Sequence, residues 1–257
     1  MDDVTENVGS VSAALTPSDA ADASGRATGL RGRMAEAARF VLWPGYTGRR
    51  VLSRGAAAIV VLAAMLVHAG CLALVVGPLW LAARASGVLP AADIPADSLA
   101  ASPLAFLVIA PLLEELLFRG WLTGRAAALR FAAFGFGALA LLLAGQWWPE
   151  HARALGLAGA ATAATGLVWW GVTRRRDTAV PRWFAARFAV IVWGSAILFG
   201  LIHLGNFRAL ESAAGLVVVA PQVLGGMILA YLRTRLGLAS AIAYHAGYNA
   251  LFVLAGG

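Results

Sequence analysis

An all-α fold, a polytopic bundle of transmembrane helices, is what the sequence predicts, and three observations carry that expectation. Several apolar stretches approach or pass twenty residues, long enough to cross about 30 Å of hydrocarbon. Charged residues make up 13% of the chain and hydrophobic ones 60%, whereas a soluble domain is about 25% charged. The apolar runs do not alternate with polar residues, as the strands of a membrane β-barrel would.

The chain opens with a polar leader, residues 1–54, expected on the cytoplasmic side. Residues 1–34 are rich in Ala, Ser, Thr, Asp and Gly, show no apolar period and predict a disordered tail. Residues 35–54, AEAARFVLWPGYTGRRVLSR, mix apolar and basic positions and predict a short helix at the membrane interface. A cleaved signal peptide is not expected, because the polar leader exceeds fifty residues and the first apolar run is longer than an h-region.

The membrane domain, 55–257, predicts about seven spans: 56–82, 103–127, 131–149, 153–173, 187–206, 213–232 and 238–256. Arginines orient them. Seven lie in the leader (26, 31, 33, 39, 49, 50, 54), two at 125 and 130, five at 174, 175, 176, 182 and 187, and two at 233 and 235. The alternate gaps hold only Arg84, Arg153 and Arg208. This asymmetry predicts a cytoplasmic N-terminus and an external C-terminus.

The same placement accounts for the formal charge of +7 and a pI near 10.9, so a nucleic-acid partner is not expected; the lipid bilayer is. Every basic residue is arginine, and with abundant alanine this composition points to a GC-rich bacterial genome, hence a bacterial inner membrane. Trp147 and Trp148, and Trp169 and Trp170, fall at span boundaries where an aromatic belt is expected. The small residues of GLAGAATAATG, 156–166, predict a face packed against another helix. The single cysteine, Cys71, lies within an apolar run, excludes a disulfide framework within the chain and reads as a small buried hydrophobe.

Seven polar side chains stand inside these spans: His68, Glu114, Glu115, Arg119, His203, His245 and Asn249. A charge at mid-bilayer costs about 2.5–3.5 kcal/mol on insertion scales, so three ionisable groups within PLLEELLFRG, 111–120, must face one another or a cavity. Glu115 and Arg119 are four residues apart and share a helix face. The permanently charged guanidinium fork would hold Glu115 ionised and fixed. Glu114 is turned by about 100° from Glu115 and is left for another partner. Such a carboxylate has no structural reason to be buried and is available for proton transfer.

His203 closes FGLIH with Phe199 one turn before it, and His245 and Asn249, in HAGYN, share a face. Counted from the basic edges at Arg130, Arg187 and Arg235, Glu115, His203 and His245 lie about 22, 24 and 15 Å deep, loosely one layer. Water held by a glutamate and a histidine could attack a carbonyl, with a histidine and an asparagine amide donating to the oxyanion. Glu114, His203 and His245 equally match a three-ligand catalytic zinc site, although no HExxH is present. His68 reads as a packing histidine and His151 as a solvated loop residue. Gln222 follows Pro221, where a kink is expected, and is a further candidate for the cavity lining.

EExxxR (Glu114, Glu115, Arg119), FxxxH (Phe199, His203) and HxxxN (His245, Asn249), in order and in separate apolar spans, resemble the CPBP family of intramembrane proteases, the CAAX-protease and bacteriocin-processing group, also called ABI. The resemblance covers the spans at 103–127 and within 187–256. It implies proteolysis within the membrane by a glutamate-activated water, without a metal cofactor, zinc remaining the alternative. Carried over, Glu114 activates the water, helped by His203; His245 and Asn249 form the oxyanion hole; Glu115, Arg119 and Phe199 support them. The substrate implied is a membrane-anchored peptide or protein. In typical members the first two motifs are separated by about one helix-to-helix connection. Here 83 residues lie between Arg119 and His203, room for two added spans, and an even insertion preserves topology. The competing reading is a non-enzymatic membrane protein, a transporter or bacteriocin-immunity factor, using the same charges as a proton relay or helix clamp.

Overall fold

The computed structural model describes residues 29–48, 52–91, 103–208 and 210–254, and every regular element among them is a helix. The first, α1 (Leu30–Leu42), buries Ala37, Phe40 and Val41 against the rest of the bundle. Glu36 accepts from Arg235 at 2.9 Å, and the Arg235 guanidinium lies 5.2 Å from the Phe40 ring centroid. The expected tail thus gives way to helix at Leu30 rather than after residue 34, because Phe40 and its neighbours supply an apolar face that the following helices cover. The earlier part of that tail, residues 1–28, lies outside the described residues.

The second helix, α2 (Arg54–Ala85), begins at a Ser53 cap whose side chain accepts from the Ala56 N–H. It widens into a π turn at Leu72–Val76 immediately before Gly77 and Pro78. Proline lacks an N–H and its ring crowds the carbonyl four residues back, and a π turn is one way a helix absorbs that conflict. A Cβ at Gly77 would sit 2.8 Å from the Leu72 carbonyl oxygen, so the widened turn needs glycine there. The same device recurs at Ala105–Ile109, ahead of Pro111 at the start of α3 (Ala110–Phe118).

Helix α3 stops at Phe118, well inside the expected 103–127 span. A Cβ on Gly120 would meet the Leu116 carbonyl oxygen at 2.3 Å, and Gly124 has φ +71°. These two glycines turn the chain within six residues. Next come α4 (Ala126–Trp147) and α5 (Ala152–Thr173), an antiparallel hairpin. Gly159 and Gly166 are the buried residues of α5 and abut Ala138 and Phe134 of α4, the close approach that small residues permit. Trp147, Trp148 and Trp169 are exposed.

A short helix, α6 (Arg182–Ala186), leads into α7 (Phe188–Ile202), and a 3-10 segment, Ala213–Val219, leads into α8 (Ala220–Arg235). The last described helix is α9 (Leu238–Leu254). Helix α8 is the centre of the bundle: Met227 through Leu232 are all buried. Gly200 of α7 and Gly226 of α8 let these helices close on each other.

Among the described residues five helical stretches are long and apolar enough to cross a membrane: Arg54–Ala85, Ala126–Trp147, Pro149–Thr173, Phe188–Asn206 and Ala213–Arg235. The protein is a multi-pass membrane protein, but this count falls short of the seven expected. The two differences are the segment ending at Phe118, cut short by its glycine turn, and α9, whose 17 residues reach about 25 Å. Between them the two short elements carry Glu114, Glu115, His245 and Asn249.

Candidate active site

Helix α3 presents Glu114 and Glu115 one turn after Pro111. Glu115 points fully inward at 0% exposure, whereas the Glu114 side chain, rotated along the helix, keeps 27%. Arg119 follows at the helix end, 1% exposed, and its Nη1 donates to Glu115 Oε1 at 3.0 Å. Its guanidinium also lies 4.0 Å from the centroid of the Phe199 ring on α7, a desolvated cation–π contact worth on the order of 2 kcal/mol. A Cβ at Gly226 would come within 2.9 Å of Arg119 Nη2, so α8 offers only backbone at this point.

The end of α3 is fixed from two directions. Ser195 on α7 donates from Oγ to the Phe118 carbonyl at 2.9 Å. Arg233 on α8 donates from Nε to the Arg119 carbonyl and from Nη2 to the Gly120 carbonyl, each at 2.9 Å. These are carbonyls that a helix terminus leaves without intrahelical partners.

Helix α9 supplies His245, which is buried. Its Nδ1 donates to Glu115 Oε1 at 3.0 Å, since an ionised carboxylate only accepts. That bond aims Nε2 at Glu114, 3.7 Å from Oε2. Arg119, Glu115, His245 and Glu114 therefore form one continuous chain across α3 and α9. The expectation that Glu115 pairs with Arg119 describes the contact found. Glu114 is not remote from partners, but among the described residues its Oε2 has no hydrogen-bond partner; nor do Glu115 Oε2 and Arg119 Nη2.

His203, at the end of α7, donates from Nδ1 to the Phe199 carbonyl at 2.7 Å. A carbonyl cannot donate, so the proton sits on Nδ1 and a neutral ring keeps its lone pair on Nε2. Both imidazoles lie close enough to Glu114 to act on its charge. The Phe199 ring packs against both, with centroid distances of 4.6 Å to His203 and 6.1 Å to His245. Asn249 stands one turn beyond His245, and its amide donates to the Phe106 carbonyl at 3.0 Å. That carbonyl belongs to the π turn, which disrupts the regular ladder, and the amide keeps a second N–H.

Among the described residues, no group of three His, Cys, Asp or Glu side chains is arranged to hold a metal ion. Glu114, His203 and His245, the set matched to zinc above, are not among such groups; His245 directs Nδ1 at Glu115 and Nε2 at Glu114. Gln222 Oε1 is buried and has no hydrogen-bond partner among the described residues. His68 lies between helices, with Nδ1 3.0 Å from the Tyr244 hydroxyl and its ring stacked on Tyr248.

Several positions that shape this site escaped sequence reasoning. Arg233 is indistinguishable by position from a topology-setting arginine. Ser195, Gly226 and the Phe106 carbonyl acquire their roles only when helices distant in sequence meet. Gly226 carries one local hint, the pair Gly225–Gly226 inside an apolar helix.

A family model described as Type II CAAX prenyl endopeptidase Rce1-like matches residues 96–251, a stretch that includes all three motifs. No curated protein and no solved structure matches the chain.

Proposed function

The chain belongs to the Rce1-like type II CAAX prenyl endopeptidase family, the CPBP family, and from that premise we propose that it is an intramembrane endopeptidase. It hydrolyses peptide bonds of membrane-anchored peptides or proteins with a water activated by Glu114. The observation that carries this reading is Glu114 Oε2, without a hydrogen-bond partner among the described residues and 3.7 Å from His245 Nε2. A carboxylate used only as a helix clamp would be bonded as Glu115 is.

Charge balance supports the assignment of roles. Glu114, Glu115 and Arg119 together leave one negative charge in a buried cluster, and one proton on the Glu114–His245 pair makes it neutral. Buried charge is tolerated when compensated in this way. With that proton on His245, Glu114 is an ionised base and His245 an imidazolium whose Nδ1–H is anchored on Glu115. Glu114 then takes a proton from water as the oxygen attacks the substrate carbonyl, helped by the Nε2 lone pair of His203. The tetrahedral oxyanion is met by the His245 Nε2–H and the second Asn249 N–H. Arg119 and Phe199 set the orientation of Glu115 and of the two imidazoles. The same groups return the proton to the leaving amine.

The natural peptides are identified by comparing membrane peptides from a deletion strain and from the strain restored with the intact gene. Full-length membrane peptides that accumulate only in the deletion support the proposal. An unchanged peptide set, together with lost solute flux in proteoliposomes, would replace it with transport.

A further inference from the structure

On the arginine-rich side of the bundle, beyond the end of α3, lies a cavity of about 440 Å³ bordered by Thr123, Arg125, Trp170, Arg174, Arg175 and Arg233. Four arginines around one concavity exceed what orientation of the chain requires, since topology needs charge on a loop and not a shaped recess. The nearby carboxylate does not neutralise Arg125, Arg174 or Arg175. Asp177 pairs with Arg130, which also bonds Thr173 and lies over the Trp169 ring. Among the described residues no carboxylate pairs with Arg125, Arg174 or Arg175.

The walls are held in place. The Ala126 and Ala127 N–H groups donate to the Ala179 and Asp177 carbonyls, tying the segment after α5 to the first turn of α4. The Arg174 guanidinium rests 4.9 Å from the Trp170 ring centroid. Ala127 and Ala128, in the first turn of the 22-residue α4, complete the border of the recess. The turns of α5 leading to it expose Leu167, Val168 and Val172, a surface for acyl chains, and Trp169 marks an interfacial level.

We propose that this cavity binds the phosphate of an anionic phospholipid headgroup in the leaflet on the arginine-rich side. Basic recesses between transmembrane helices have the chemistry for such headgroups. Three of the bordering side chains, Trp170, Arg174 and Arg175, come from the α4–α5 hairpin and its exit, the segment inserted between the first two motifs. The hairpin thereby acquires a function of its own, as a lipid clamp. The site is independent of the hydrolytic reading, and binding is measured without peptide substrate.

The test titrates the detergent-solubilised full chain with phosphatidylglycerol and separately with phosphatidylcholine, reading bound lipid by native mass spectrometry. The expected result is preferential retention of phosphatidylglycerol, weakened roughly ten- to thirty-fold in the double variant Arg174→Gln, Arg175→Gln. The pair Arg176→Gln, Arg182→Gln removes the same charge outside the cavity and is expected to bind like the parent chain. Should the first double variant fail to insert, Arg125→Gln is expected to show a smaller loss in the same direction. Equal retention of the two lipids, or equal weakening by the two double variants, would overturn the site. Displacement of the lipid by inorganic phosphate at concentrations where matched chloride does nothing would assign the cavity to soluble phosphate instead.

Discussion

His245 donates from Nδ1 to Glu115 Oε1 at 3.0 Å, and this bond points its other nitrogen at Glu114. Two adjacent residues on one helix thereby have different duties. Glu115 Oε1 accepts from both Arg119 and His245; Glu114 Oε2 accepts from neither.

Glu115→Ala is expected to be the most destabilising change at the site. It strands the Arg119 guanidinium, 1% exposed, without its carboxylate, and breaking one side of a buried pair costs about 3–5 kcal/mol. Thermal unfolding in detergent should show a large drop in midpoint. A midpoint within the scatter of surface variants would mean that the pair does not hold α3.

Asn249→Ala is expected to lower kcat by about 10²–10³-fold while leaving KM nearly unchanged, the pattern of a donor that acts on the transition state. The loss of its bond to the Phe106 carbonyl adds about 1 kcal/mol of destabilisation. A raised KM at constant kcat would instead make Asn249 a substrate-binding residue.

Gly226→Val is expected to fail without touching any ionisable group. A Cβ there already sits 2.9 Å from Arg119 Nη2 and 3.2 Å from the Ala196 Cα. Overpacking of this kind costs roughly 1–3 kcal/mol and would push α8 away from Arg119. Unfolding midpoint and cleavage rate should fall together; full activity would show that the close approach is dispensable.

Cleavage is expected to survive a strong divalent-metal chelator, because among the described residues no three His, Cys, Asp or Glu side chains form a ligand set. Activity lost to the chelator and regained with zinc alone would transfer the role of Glu114 from base to ligand.

Much of this site is legible in the chain. Ionisable groups are so unfavourable in an apolar span that Glu114, Glu115, Arg119, His203, His245 and Asn249 stand out by composition alone, and helical periodicity pairs Glu115 with Arg119. What periodicity misses is the bridging imidazole, because His245 reaches Glu115 across 130 residues of sequence. Span counting is weaker for a related reason. Hydropathy treats 103–127 as one rod, whereas Gly120 and Gly124 end the helix at Phe118 through backbone contacts that mean hydropathy does not register. The docking of α1 depends on Glu36 meeting Arg235, again a contact between distant segments. His68 does pack between helices, as its isolated position in an apolar run implies.

The rate of peptide-bond cleavage by the purified full-length Glu114→Gln variant, on a membrane peptide that the parent chain cuts, bears most directly on the central claim. The account predicts a fall of at least about 10²-fold with an unchanged unfolding midpoint, because among the described residues Glu114 Oε2 accepts no hydrogen bond and Glu115 with Arg119 and a neutral His245 remains charge-balanced. Cleavage at the parental rate by the folded variant would contradict it.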